Sequence, residues 1–536
     1  MSLQLKQLSS LAKVFPKKIY GKCESKMVAL KNSTISYQIA YKGEGEYSYK
    51  IKSRLKDYIS VFDVGYVPSE MPAYENCDDG NYQNREPGLF PDPLFPRKRR
   101  KIKAEKTYKA LWISIDIPSD IDAGEYEIEF IFNGDGEYHV TKKIKIEDIA
   151  LKEKEIIFTQ WFHVDCIANY HKVQVYSKEH WELIRKYMKM ANEHGINMIL
   201  VPVLTPPLDT YEGGERTTTQ LVDIEVKNGD YVFDFTRLHT YINMARECGM
   251  RYFEINHMFT QWGAKHAPKV IAKVNGQSQR IFGWETSATS NEYATFLRAL
   301  IPALIKELKA LGLSNDHVFF HVSDEPNHRC IDEYRGASAI LKPLVKGYKL
   351  TDALSNVEFY RQGLVEVSVC EINSIEHFVS ENVPELWGYY CCAQTMEVSN
   401  RFFSMSSARN RIIGTQIYKF GLRGFLHWGY NFYNSQFSRK QINPYKITDA
   451  GKAFPSGDAF SVYPVKNGVI PSLRLKVFKE ALDDVSLLYM LEEKVGREEA
   501  IRALNEIADC DLTFKIYPRD EEFFARLRKK VIKMLK

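Results

Sequence analysis

The sequence predicts a β-sandwich followed by a (β/α)8 barrel and a helical C-terminal stretch, on three observations. Residues 1–152 carry short apolar runs bounded by turn signals. Residues 153–470 alternate short apolar runs with amphipathic segments of helical period, the pattern of a parallel sheet with crossover helices. Residues 471–536 read as helix alone.

In the first part the runs are KMVAL, TISYQIAYK, YISVFDVGYV, ALWISIDIP, GEYEIEFIF and YHVTKKIKI. WISIDIP and YEIEFIF alternate apolar and polar residues across the turn SDIDAGE, and NGDGE supplies a second turn. Eight runs follow: IIFTQWF, INMILVPV, RYFEINHMF, HVFFHVS, YKLTDAL, VEVSVCEI, ELWGYYC and GFLHWGY. A doubly wound sheet gives the same alternation, but eight strands in roughly 280 residues favour closure into a barrel. The helices between them include SKEHWELIRKYMKMANEHG, FTRLHTYINMARECG, ATFLRALIPALIKELKALG and SARNRIIGTQIYKFG. Most of these stop at glycine, which supplies a left-handed cap. The last segments, PSLRLKVFKEALDDVSLLYMLEEKVG, REEAIRALNEIAD and RDEEFFARLRKKVIKMLK, form helices packed on the barrel.

Composition narrows the function. The 536 residues are 44% hydrophobic and 26% charged, ordinary globular values. The net charge is +5, and the one basic run, RKRRKIK at 97–103, follows a proline-rich stretch and reads as a solvated loop, so no nucleic-acid partner is implied. The N-terminal MSLQLKQLSSLAKVFPKK lacks the apolar run of a secretory signal, and no later segment reaches the length of a membrane span, which places the expectation in the cytoplasm without a membrane partner. The nine cysteines show no metal spacing, so neither a structural zinc nor any other metal or cofactor is expected. Oligomeric state is not readable.

In a barrel of this kind, chemistry sits where the strands end. The fourth run places Asp324 and Glu325 at that point. Other acidic pairs, Asp483-Asp484, Glu492-Glu493 and Glu498-Glu499, lie on helices and read as solvated faces. Two carboxylates at the mouth of a buried strand must be desolvated, which costs several kcal/mol unless they bind something or share a proton. Side chains alternate along a strand, so both face one ligand only if the chain bends between them. Strand ends also offer Trp161 and His163, Asn256 and His257, Trp387 and Tyr389, and Trp428, Tyr430 and Asn431. The aromatics suit the floor and walls of a sugar pocket and the asparagines suit hydroxyls.

Together, HVSDEP, GFLHWGYNFYN, GDAFSVYP and PSLRLKVFKEALDD resemble the catalytic domain of glycoside hydrolase family 123 over about residues 160–495. That resemblance implies a retaining exo-β-N-acetylhexosaminidase, with a galacto preference, acting on glycosides with a terminal N-acetylhexosamine. In such enzymes the substrate's own 2-acetamido oxygen attacks the anomeric carbon. By resemblance Asp324 polarises the acetamido group and Glu325 is the general acid and base, with an ionised Asp324 raising the pKa of Glu325. Within KEALDDVSLLYML, Ala481 and residues 485–487 depart from the family pattern. Two rivals remain: a glycosidase of other specificity, with Glu254 or Glu371 as nucleophile, and a catalytically silent sugar-binding protein.

Overall fold

The computed structural model describes residues 2–536. Its N-terminal part is two five-stranded sheets packed face to face. One runs in the order Gln4–Ser9, Ser33–Lys42, Lys109–Ile117, Ile59–Ser69, Gly88–Pro96, and the other Lys26–Lys31, Glu137–Ala150, Gly124–Asn133, Gly45–Lys52, Lys101–Ala104. Alternation dictates the core between them. Ile113, Ile115 and Ile117 from one sheet meet Ile128, Phe130 and Ile144 from the other, all essentially without solvent exposure. The turn SDIDAGE does not close a hairpin, because Lys109–Ile117 and Gly124–Asn133 lie in different sheets and the chain crosses between them there. NGDGE does close one, pairing Asn133 with Glu137.

The expected eight strands form a closed parallel barrel: β1 Ile157–Gln160, β2 Met198–Val201, β3 Tyr252–Ile255, β4 Val318–His321, β5 Lys349–Leu354, β6 Val367–Glu371, β7 Leu386–Tyr389 and β8 Gly424–His427. Register closes β8 onto β1 through Phe158 opposite Phe425. Around it lie α1 Lys178–Glu193, α2 Thr236–Glu247, α3 Asn291–Ala310, α4 Ile331–Leu344, the short α5 Glu358–Arg361 and α6 Ile375–Ser380, and α7 Ile413–Phe420. Ser177 and Ser290 cap α1 and α3 by accepting backbone N–H bonds, and α7 ends at Gly421 with φ +63°.

The helical stretch expected from 471 opens with a helix that packs on the outside of the barrel. Helix α8, Leu473–Val495, lies over the β1/β8 seam, where Phe478 stacks on Phe158 at 4.4 Å between ring centroids and packs on Phe425 at 5.7 Å. Burying that ring contributes roughly 1.5–3 kcal/mol. At Gly414 an added Cβ would stand 2.1 Å from the carbonyl oxygen of Ala481, so α7 and α8 approach this closely only because residue 414 has no side chain. The other side of α8 meets the outer face of the sheet holding Lys109–Ile117, where Trp112 and Ala40 pack with Leu473 and Val477 in one cluster. The sandwich is thereby fixed to the barrel. Helices Arg497–Ala508 and Glu522–Leu535 complete that cluster.

One element lies outside the sequence expectation. The segments after β2 and β3 form a four-stranded sheet of Asp230–Asp234, Asp223–Lys227, Val270–Val274 and Gln277–Phe282. Among the described residues no helix is long and apolar enough to cross a membrane.

Candidate active site

At the C-terminal mouth of the barrel lies a cavity of about 460 Å³. A larger groove, about 690 Å³, runs between the sandwich and the last helix, and no barrel strand lines it.

Asp324 and Glu325 both line the barrel cavity. The bend they need is present: Glu325 has φ +43°, a left-handed conformation costing a non-glycine residue roughly 1–2 kcal/mol. The surroundings hold that turn in place. Asp352 on β5 accepts the Ser323 N–H at 2.9 Å and the Tyr334 hydroxyl at 2.9 Å. Ser323 Oγ donates to the Thr260 carbonyl at 2.7 Å, and the Trp262 N–H donates to the Asp324 carbonyl at 2.8 Å. Backbone strain fixed from three sides at a cavity is a mark of a working site.

The electrostatics differ from the expected asymmetry. Burial pushes Asp324 well above the carboxylate range, and the charges of Glu325, Asp352, Asp209 and Glu254 push it further. Glu325 is also raised, by burial and by Glu371, but the Tyr389 hydroxyl donates to its Oε1 at 2.8 Å and pulls it back. Asp324 has no such donor among the described residues. Both carboxyls thus stand above their ordinary range, whereas the sequence reading expected that of Glu325 alone to be raised. An N–H donor or a positive charge brought to Asp324 lowers its pKa.

Trp161, Tyr389 and Trp428 join the pair in the cavity wall. The indole N–H of Trp161 donates to Glu254 at 2.9 Å, and that of Trp428 to Asp458 at 2.8 Å, so buried carboxylates aim both rings. The remaining predicted residues stand behind the wall, because their polar atoms serve the barrel's own turns. Asn256 accepts the Leu204 N–H at 2.9 Å and donates to the His257 carbonyl at 2.9 Å. Asn431 bonds both backbone groups of His163, at 2.9 and 3.0 Å. His163 donates to the Trp428 carbonyl and accepts from Arg216, and burial lowers its pKa to about 3. His257 is fully buried against His321 and Trp161. Tyr430 donates to the Tyr187 carbonyl at 2.9 Å, and Trp387 packs on Phe319 inside the barrel below the cavity.

The alternative nucleophiles are occupied. Glu254 accepts from Thr159, Trp161 and His321. Glu371 accepts from Ser374 at 2.6 Å and Gln394 at 3.1 Å. Neither lines the cavity. Sequence reasoning missed Asp209, Gln261, Trp262, Phe437 and Phe454, which do line it. They sit in long loops after β2, β3 and β8, where no period marks them. The ring of Trp262, 42% exposed, meets the edge of Phe437 at 5.7 Å and forms the outer lip.

The catalytic-domain profile of glycoside hydrolase 123 matches residues 161–491. Among solved structures, a family 123 glycoside hydrolase from Clostridium perfringens, described for glycolipid glycan hydrolysis, superposes with a TM-score of 0.74 at 12% identity, covering 100% of this chain and 97% of that one. A Bacteroides ovatus GH5 xyloglucanase reaches a TM-score of only 0.27 at 8% identity, over 86% of this chain and 98% of its own. No curated protein sequence matches the chain.

Proposed function

The chain belongs to the glycoside hydrolase 123 family, and from that premise we propose that it is a retaining exo-β-N-acetylhexosaminidase with a preference for galacto configuration, working through the substrate's 2-acetamido group. The observation that carries this reading is the state of the carboxylates. The adjacent pair Asp324-Glu325 faces the cavity, while Glu254 and Glu371, the acids that would serve a conventional double displacement, are held by other side chains.

In the proposed reaction the sugar stacks among Trp161, Trp428 and Tyr389, and its acetamido N–H donates to Asp324. That donor stabilises the Asp324 carboxylate, so the shared proton passes to Glu325. Glu325 then protonates the glycosidic oxygen as the acetamido oxygen attacks the anomeric carbon, breaking the glycosidic bond and forming an oxazolinium ion. Its positive charge develops beside ionised Asp324, which is held in place before the reaction begins. Glu325, now ionised, takes a proton from water, whose oxygen opens the ring with overall retention. Adjacent rather than facing carboxylates are tolerated because substrate-assisted enzymes are exempt from the usual separation rule. We assign the catalytic unit to the barrel together with α8 and give the sandwich a supporting role.

A panel of chromogenic β-glycosides, galacto and gluco, each with and without the 2-acetamido group, tests the proposal. The acetamido galactoside should be cleaved fastest and both 2-hydroxy sugars should be nearly inert. Equal rates with and without the acetamido group would overturn it, and no cleavage of any member would favour a silent binding protein.

A further inference from the structure

We propose that Asp209 and Gln261 form a paired acceptor clamp that selects the sugar through its ring hydroxyls, making them specificity-determining residues. The inference rests on the reading that the cavity receives a terminal sugar, but not on how that sugar's bond is broken.

Gln261 is 5% exposed and lines the cavity, and its amide orientation is set, because Nε2 donates to the Thr210 carbonyl at 2.8 Å. Its Oε1 is buried and has no partner among the described residues. A buried amide oxygen left without a donor carries a desolvation cost that is removed when a ligand supplies the donor. Residue 209 adjoins that same Thr210. Asp209 Oδ2 accepts the Phe437 N–H at 2.9 Å, and its backbone carbonyl accepts the Ser438 hydroxyl at 2.8 Å. Oδ1 has no partner among the described residues. Burial brings the Asp209 carboxyl up to about 6, and Oδ2 is held as an acceptor by the Phe437 N–H.

The two free oxygens belong to residues that line one cavity and are linked through Thr210, and a sugar's ring hydroxyls are donors that can meet them. Arg216, the guanidinium nearest in sequence to Asp209, is committed to Asp165 in a two-pronged pair and leaves the aspartate to the cavity. Acceptors of this kind discriminate strongly, because a ligand lacking the hydroxyl leaves them buried and unpaired.

The test measures Kd for the free monosaccharide and kcat/KM for its aryl glycoside, each against the 3-, 4- and 6-deoxy analogues, in wild type, Gln261→Leu, Asp209→Ala and Asp209→Asn. In the wild type, at least one deoxy analogue should lose roughly 10- to 100-fold in both quantities. Gln261→Leu and Asp209→Ala should lose a similar factor on the full sugar and show almost no further loss on that analogue. Asp209→Asn keeps an oxygen for the Phe437 N–H, so it controls for collapse of the loop and should retain part of the discrimination. A variant that weakens every analogue by the same factor, with the deoxy ratios unchanged, would mean a merely structural role and would overturn the clamp. So would a covalent glycosyl adduct on Asp209, which would make it a nucleophile. Failure of the acetamido mechanism would alter dependence on the 2-substituent and leave the deoxy ratios intact, so the two readings fail separately.

Discussion

Two groups of buried carboxylates in this molecule are treated in opposite ways. Where the sandwich meets the barrel, Asp92, Asp484 and Glu480 are met by a guanidinium. Asp92 takes two bonds from Arg474, at 2.8 and 2.9 Å, and a third from Tyr463. Asp484 takes two from Arg411, which also reaches Glu480. At the barrel mouth Asp324 and Glu325 have no cation at all among the described residues, only the hydroxyl of Tyr389 and a thiol. The first arrangement meets the cost of burial with charge and geometry. The second leaves it unmet, and in the proposed reaction the positive charge that develops on the substrate relieves it. At that interface the acids are paired with cations, while the pair that faces the cavity is not.

Breaking a paired site should give the largest effect on the fold. Arg474→Leu leaves Asp92 buried without its partner and also strips donors from the Gly457 and Phe460 carbonyls. Urea unfolding should show a loss of about 3–5 kcal/mol. A loss below about 1 kcal/mol would mean that the pair is not a structural anchor.

At the unpaired site stability and activity should move apart. Asp324→Asn should lower kcat by roughly 100-fold or more, with a smaller change in KM. The same variant should gain stability at neutral pH, by about 1 kcal/mol. The sign follows from the raised pKa: ionising Asp324 costs more in the folded than in the unfolded chain, so its contribution is most favourable at low pH and is lost as pH rises through the folded value. The gain should thus widen from pH 5 to pH 8. Denaturation that shows Asp324→Asn less stable than wild type across that range would place the aspartate with the structural acids.

A smaller effect separates the two members of the pair. The wild-type kcat/KM should be bell-shaped, falling in acid as Asp324 takes a proton and in base as Glu325 loses one, with both limbs belonging to the pair. Tyr389→Phe removes the donor that holds Glu325 down, so the basic limb should move to higher pH while kcat/KM falls about 10-fold. An unshifted basic limb would detach Tyr389 from the acid.

Much of this was legible in the sequence. All eight barrel strands fall inside apolar runs read directly, because a buried parallel strand is apolar on both faces and a polar residue after it stands out. Asp324 and Glu325 were visible on that ground, and the left-handed turn at Glu325 supplies the bend they require. Asn256, Asn431 and His163 were read as binding residues because a strand-end position says nothing of direction, and their side chains close the barrel's turns instead. Asp483-Asp484 looked solvated on a helix, yet Asp484 is buried because Arg411 comes from a helix 73 residues away in sequence. The extra four-stranded sheet had a readable sign: Asn228-Gly229 and Asn275-Gly276, all with positive φ, close its two hairpins. Asp209 and Gln261 had none, since long loops take their path from tertiary contacts.

The central claim is that the unpaired carboxylates serve a nucleophile carried by the substrate. Its most direct test is a series of aryl glycosides whose 2-acetamido group bears zero, one, two or three fluorines, since each fluorine drains electron density from the attacking oxygen. The account predicts a steep, monotonic fall in kcat/KM along the series, with the trifluoro member nearly inert. A flat series would contradict it and assign the attack to a protein carboxylate.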